Sequence, residues 1–135
     1  MPLLTTIKDN ATSVSAAGGT AASIAWMGRV GSAITGYFTG DASLKLRRLV
    51  TCRVKEPKAN TNSPGGFTQA RRTVSMLLPV TIVEGGVSRV ATNKITLEYA
   101  SDSATASADN KNARYLMGQF LSDPTNDAFF DQLAL

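Results

Sequence analysis

Residues 43–57, SLKLRRLVTCRVKEP, decide the fold. Read alternately, Leu44, Leu46, Val50, Cys52 and Val54 fall on one side, with Arg48 as the exception. Lys45, Arg47, Thr51, Arg53 and Lys55 fall on the other, with Leu49 among them. A strand sends alternate side chains to opposite faces. The stretch therefore predicts a strand with one apolar and one cationic face.

Two further segments share that pattern. In QARRTVSMLLPV (69–80), Val74, Met76, Leu78 and Val80 oppose Gln69, Arg71, Thr73 and Ser75. In ATNKITLEYA (91–100), Ile95, Leu97 and Tyr99 oppose Lys94, Thr96 and Glu98. The turn formers of EPKANTNSPGG (56–66) and VEGGVS (83–88) separate the three. Such strands make an antiparallel meander with one core face and one solvent face. Upstream, the turn Lys8-Asp9-Asn10 between short Thr/Val/Ile-bearing runs predicts a small hairpin. SIAWMGRV (23–30) and SAITGYF (32–38) supply one more strand, with Trp26, Tyr37 and Phe38 as packing groups.

After residue 102 the period changes. Ala106, Ala113, Leu116, Met117, Phe120 and Leu121 recur at helical spacing, with Asp102 or Ser103 placed to cap the start. Asp123-Pro124 ends that helix and opens a second, which presents Phe129, Phe130 and Leu133. Strands followed by helices indicate an α+β class, with the helices covering the apolar face of the sheet. At 135 residues the chain fits one domain, 1–135.

The charge is unevenly spread. Residues 1–42 sum to zero; residues 43–94 hold ten Lys or Arg against Glu56 and Glu84; residues 95–135 hold two cations and six acids. A middle segment at +8 calls for a polyanionic partner. With no histidine and one cysteine, a zinc or haem site, an internal disulfide and a His-based catalytic group are not expected; no cofactor, metal or catalytic residue is assigned. Cys52 reads as a small core residue. The absence of a 20-residue apolar run or of a signal-like start predicts neither a membrane span nor a leader.

The order and spacing of LVTCRVKE (49–56), RRTVSMLLP (71–79), EGGV (84–87), ITLEYAS (95–101) and the tail ARYLMGQFLSDPTNDAFFDQLAL (113–135) resemble the coat proteins of single-stranded RNA bacteriophages, the levivirus-like group. The likeness covers residues 43–135 well and the first third loosely. It implies an N-terminal hairpin, a five-stranded antiparallel sheet and two helices, with the sheet extended across a homodimer and the helices clasping the partner. It implies a non-enzymatic virion protein, assembled in the bacterial cytoplasm into an icosahedral shell, commonly T=3. One sheet face would bind genomic RNA, and a hairpin held there would repress translation.

Carried over by position, Thr51 and Thr73 match short hydroxyl side chains near an RNA base. Arg71 stands where the family has a Lys and Lys55 where it has an Arg; Thr96 and Glu98 match polar residues of the next strand. Arg53, Ser75 and Leu49 depart from the pattern. The expected RNA surface is Lys45, Arg47, Thr51, Arg53, Lys55, Arg71, Thr73, Ser75, Lys94, Thr96 and Glu98. Expected dimer and assembly contacts are Phe120, Phe129 and Phe130 with Glu84, Gly85 and Gly86, the last three in the 81–93 segment that relatives use at shell vertices. Glu98 is expected to pair with Arg71 or Lys94.

Two other functions compete. A non-viral RNA-binding regulator with a basic sheet would present aromatic stacking residues on its polar face; none is expected there, since Tyr99 falls on the other face. An enzyme would need an acid/base pair that this sequence does not offer.

Overall fold

The computed structural model describes residues 3–14, 16–62 and 66–132. Two compact units are present: the strands, Thr20–Ser103, and a helical unit made of Met1–Gly19 with Ala104–Leu135.

In the first unit five strands lie in sequence order in one antiparallel sheet. They are β1 (Ile24–Trp26), β2 (Ala33–Phe38), β3 (Leu49–Lys55), β4 (Ala70–Glu84) and β5 (Val87–Ser101). The 23–38 region thus supplies two strands, not one. Its alternation is short, and Gly36 masks it. That glycine is required: a Cβ there would lie 2.7 Å from Ile24 Cγ2 and 2.8 Å from Trp26 Cε3, so β1 side chains lie directly over it. Register aligns Trp26, Gly36, Val50, Met76 and Ile95 in one row and Ile34, Cys52, Val74 and Leu97 in the next. Both rows belong to the apolar face, which includes Cys52 as expected. Among the described apolar residues only Val50 and Ala70 are buried, whereas Trp26 and Ile95 are about half exposed.

The first quoted strand is shorter than its alternation. Residues 44–46 form a turn, and the ladder with β2 starts at Leu49. The cause is Asp41. Its carboxylate accepts the Arg48 backbone N–H at 2.9 Å and two guanidinium N–H groups at 2.9 and 3.1 Å. This knot closes the β2–β3 connection before Leu49. Lys45 and Arg47 therefore lie outside the strand in which they were expected.

The other hairpin is tighter than VEGGVS suggested. β4 and β5 run 15 residues each and turn on Gly85 and Gly86 alone, at φ 57° and 80°. Positive φ at both central residues is the mirror-image type I′ turn, whose twist matches paired strands. Because β3 stops opposite Leu77, residues 78–93 form a two-stranded ribbon beyond it. Pro79 stands two residues into that ribbon, where its missing N–H removes no bond to β3.

In the second unit α1 spans Ser107–Ser122 and α2 spans Asp127–Gln132, joined by a 3₁₀ turn over Pro124–Asn126. Asp123 caps that turn as its sequence promised, accepting the Thr125 N–H at 2.8 Å. The start of α1 differs from expectation: β5 runs on to Ser101, and the N-cap is Ala106, with no side-chain bond. The expected N-terminal hairpin keeps its turn at Asp9-Asn10, but residues 3–8 and 11–14 form no strands. Their backbone is held by side chains instead. Asn126 Oδ1 accepts from Leu4 N–H (2.8 Å), Gln119 exchanges two 3.0 Å bonds with the Lys8 backbone, and Asn112 accepts from Asn10 N–H (2.8 Å). Asn112 and Gln119 are seven apart and so share a helix face. An isolated short hairpin is marginal in water, and these amides offer the segment's backbone a better set of partners. Leu133 lies outside the described residues.

Candidate nucleic-acid interface

The polar face of the sheet is built as rows, because paired residues in an antiparallel ladder point the same way. One row runs Thr35, Thr51, Ser75, Thr96: four hydroxyls on four adjacent strands. Thr35 and Thr51 are hydrogen-bonded at 3.3 Å, as are Ser75 and Thr96. The next row holds Ala33, Arg53, Thr73 and Glu98, and beyond it Lys55 faces Arg71. On the other flank lie Tyr37, Leu49, Leu77 and Lys94.

These rows enclose a shallow hollow of about 390 Å³, lined by Thr51, Arg53, Thr73, Ser75, Leu77, Lys94 and Thr96. Its floor holds the half-buried hydroxyls of Thr51, Thr73 and Ser75, Thr96 is exposed beside them, and its rim is exposed cation. Hydroxyls both donate and accept, so the floor can read the edge of a base, and their short side chains leave room for one. The rim supplies charge without sequence preference.

Charge placement on this face favours an anion. Lys55 and Arg71 sit directly across from one another, a like-charge pair that costs stability in the free protein. Arg71 Nη1 lies 3.4 Å from Glu98 Oε1, the pairing expected of Glu98. Both side chains are about half exposed, so water screens the pair. Among the described residues Arg53, Lys55 and Lys94 have no ion-pair partner.

Nine of the eleven expected RNA-surface residues thus come together on three adjacent strands. Lys45 stands apart, exposed on the turn. Arg47 is half-buried with its Cζ 4.7 Å from the centroid of the Tyr37 ring. Tyr37 corrects the expectation that the polar face carries no aromatic residue. The signal was available in AITGYF, where Ala33, Thr35 and Tyr37 alternate with Ile34, Gly36 and Phe38. Thr35 is a second residue the reading missed, for the same reason.

The expected assembly residues fall in two places. Glu84, Gly85 and Gly86 form the tip of the ribbon, where Glu84 lies 3.5 Å from Arg89. In the helical unit the Phe129 and Phe130 rings meet edge to face at 5.1 Å. Phe120 and Phe129 are half-buried, and Phe130 remains 45% exposed in the single chain. No group of three or more metal-ligating side chains occurs among the described residues.

No protein-family model matches this sequence, and no curated protein does. Solved structures do. The virus-like particle of bacteriophage GQ-907 superposes with a TM-score of 0.75 at 26% identity, covering 97% of this chain and 96% of that one. The particle of bacteriophage AVE019 gives 0.71 at 10% identity over 89% and 93% of the two chains. That of Beihai levi-like virus 21 gives 0.66 at 14% over 84% and 86%. The second and third show a shared fold; the first adds sequence likeness along nearly the whole length. The five-stranded antiparallel sheet followed by two C-terminal helices, expected from the levivirus-like resemblance, is the architecture of this chain.

Proposed function

We propose that this chain is the coat protein of a single-stranded RNA phage. It pairs with a second copy, its dimers close into an icosahedral shell in the bacterial cytoplasm, and the polar face of the sheet binds the packaged genome. The observation that carries the reading is the end-to-end likeness to the GQ-907 particle.

The physical features support each part. β5 is an edge strand 15 residues long, roughly 50 Å of unpaired backbone, and such an edge invites a partner strand. A two-fold axis along β5 would satisfy both copies at once. Ile95 and Leu97 of the apolar face, and Met117, Leu121 and Phe130 of the helical unit, are exposed in the single chain, as surfaces that a partner covers would be. The unpaired cations around a hydroxyl floor suit RNA. Recognition of one hairpin, the basis of a repressor function, would rest on Thr51, Thr73 and Ser75. The hydroxyl floor with few aromatics favours this over a stacking-based regulator.

Expression in bacteria followed by electron microscopy tests the shell. The expected result is closed particles containing nuclease-protected RNA; a soluble dimer that never forms particles would sink the coat-protein reading. The RNA surface is tested with Arg53→Ala/Arg71→Ala. Affinity should fall for many RNAs alike, and the slope of log affinity against log salt should flatten by roughly 0.7 per lost contact on single strands. An unchanged slope would remove the sheet face from the reading.

A further inference from the structure

The residues beside the hollow point to a second RNA contact, one built from an aromatic ring and a guanidinium. Consecutive arginines precede β3, and the fold treats them oppositely. Arg48 is neutralised by Asp41 through two side-chain bonds and lies 4.3 Å from the Phe38 ring. Arg47 goes to Tyr37, on the polar face. No ion pair reaches Arg47 among the described residues, since Asp41 is engaged by its neighbour. Its Nε is closed to water and has no hydrogen-bond partner among the described residues.

An atom closed to water is closed to a phosphate oxygen too, so Nε belongs to the packing against Tyr37 and an anion would be met by the terminal N–H groups of the guanidinium. A guanidinium over a ring, without an ion pair among the described residues and beside an acid-poor sheet face, lacks the counter-charge that a phosphodiester supplies. Two N–H groups in a fixed fork match two phosphate oxygens, which a lysine cannot reproduce. The ring and the guanidinium plane are also surfaces on which an unpaired base stacks.

We propose that Arg47, over the Tyr37 ring, binds a phosphate and stacks the base next to it, and so extends the RNA track from the hollow to the β2 side of the sheet. Tyr37, Leu49, Leu77 and Lys94 stand in one row, so Tyr37 and Lys94 are three strand spacings apart, about 15 Å. This rests on the RNA-binding reading above, and the experiment separates the two.

The test is titration of the full chain with a fluorescent, unstructured 20-nucleotide RNA across a salt series. Arg47→Ala should weaken binding about fivefold at 0.1 M salt and flatten the log–log slope by about 0.7. Tyr37→Leu should weaken binding and leave the slope unchanged, because it removes stacking and no charge. Arg47→Lys should keep the slope and still bind less tightly than the parent, because it keeps charge and loses the fork. A packing-only Arg47 would lower the melting temperature of the alanine variant and move neither affinity nor slope. Should Arg47→Ala fail to fold, Arg47→Lys decides: parent affinity overturns the proposal. If Arg47→Ala and Tyr37→Leu bind like the parent while Arg53→Ala/Arg71→Ala does not, this contact is wrong and the sheet-face reading stands. If the parent itself does not bind RNA, both fall.

Discussion

Asn126 is fully buried, and both ends of its amide are used: Nδ2 donates to the Phe120 carbonyl at 2.7 Å and Oδ1 accepts from Leu4 N–H at 2.8 Å. Asn126→Leu strands a carbonyl and an N–H, each costing about 1–3 kcal/mol if left buried. The urea midpoint should drop, and the Leu4 amide should lose its exchange protection. Retained protection would show that the N-terminal segment is held by something other than this side chain. Asp41 gives a pH-dependent case. The Arg48 side chain, then the Arg48 backbone N–H, hold its carboxyl below the usual carboxylate range. A folded-state pKa below the unfolded one means that the unfolded chain takes the proton first. The stabilisation is complete above the unfolded value, about pH 4, and is lost as pH falls through the folded one. Asp41→Asn should melt lower than the parent at neutral pH, with the two curves converging in acid; a constant gap would rule out the charge. Sequence alternation found Thr51, Arg53, Thr73 and Ser75 because a two-residue period assigns faces without further information. It missed the Asp41–Arg48 knot, which needs a turn that no period encodes, and so it carried the strand back to Leu44.

Among elements, β1 is the most exposed to change. It has three residues and pairs with β2 alone, and its Trp26 and Ile24 side chains rest where Gly36 has no Cβ. Gly36→Ala places a methyl group at 2.7–2.8 Å from both, closer than carbon atoms approach. β1 should detach or shift while β3, β4 and β5 hold, giving a red-shifted Trp26 fluorescence without collapse of the strand signal in circular dichroism. Unchanged emission would mean that the side chains move aside at small cost. The need for glycine was invisible beforehand, since it arises from neighbours 10 and 12 residues away. The long strands were legible for the opposite reason. β4 and β5 pair with each other across 15 residues on a two-glycine turn, so local pattern and tertiary structure agree. Only the hairpin's length was underestimated, because VEGGVS is rich in turn-like residues while Val83–Glu84 and Val87–Ser88 complete the ladder. The N-terminal segment went the other way: its hairpin-like pattern lost to amides of Asn112, Gln119 and Asn126, more than 100 residues distant in sequence.

On the scale of the whole molecule, the ribbon at 78–93 is the feature whose purpose folding does not explain. Two strands paired only with each other are marginal in water, and this pair exposes Val83, Val87 and Val90. A single chain gains little by extending them past Leu49, the first residue of β3. An assembled shell would gain a projecting contact, which is the place the coat-protein reading gives to residues 81–93. The ribbon can be shortened without disturbing what remains. Removing Val83, Glu84, Val87 and Ser88 deletes two facing pairs, sets Gly85-Gly86 directly on Ile82 and Arg89, and keeps every other side chain on its own face, because the deletion is even on each strand. The hollow and the apolar rows lie on the far side of Leu77 and keep their neighbours. The shortened protein should therefore fold, and bind the 20-nucleotide RNA with the parent's affinity and salt slope. Its particles should differ in yield or diameter by electron microscopy and light scattering. Normal particles would mean that the ribbon tip makes no contact that matters to closure. A variant that fails to fold would mean that the extension stabilises the subunit itself. Either result would take residues 81–93 out of the assembly argument and leave the β5 edge and the exposed apolar residues to carry it.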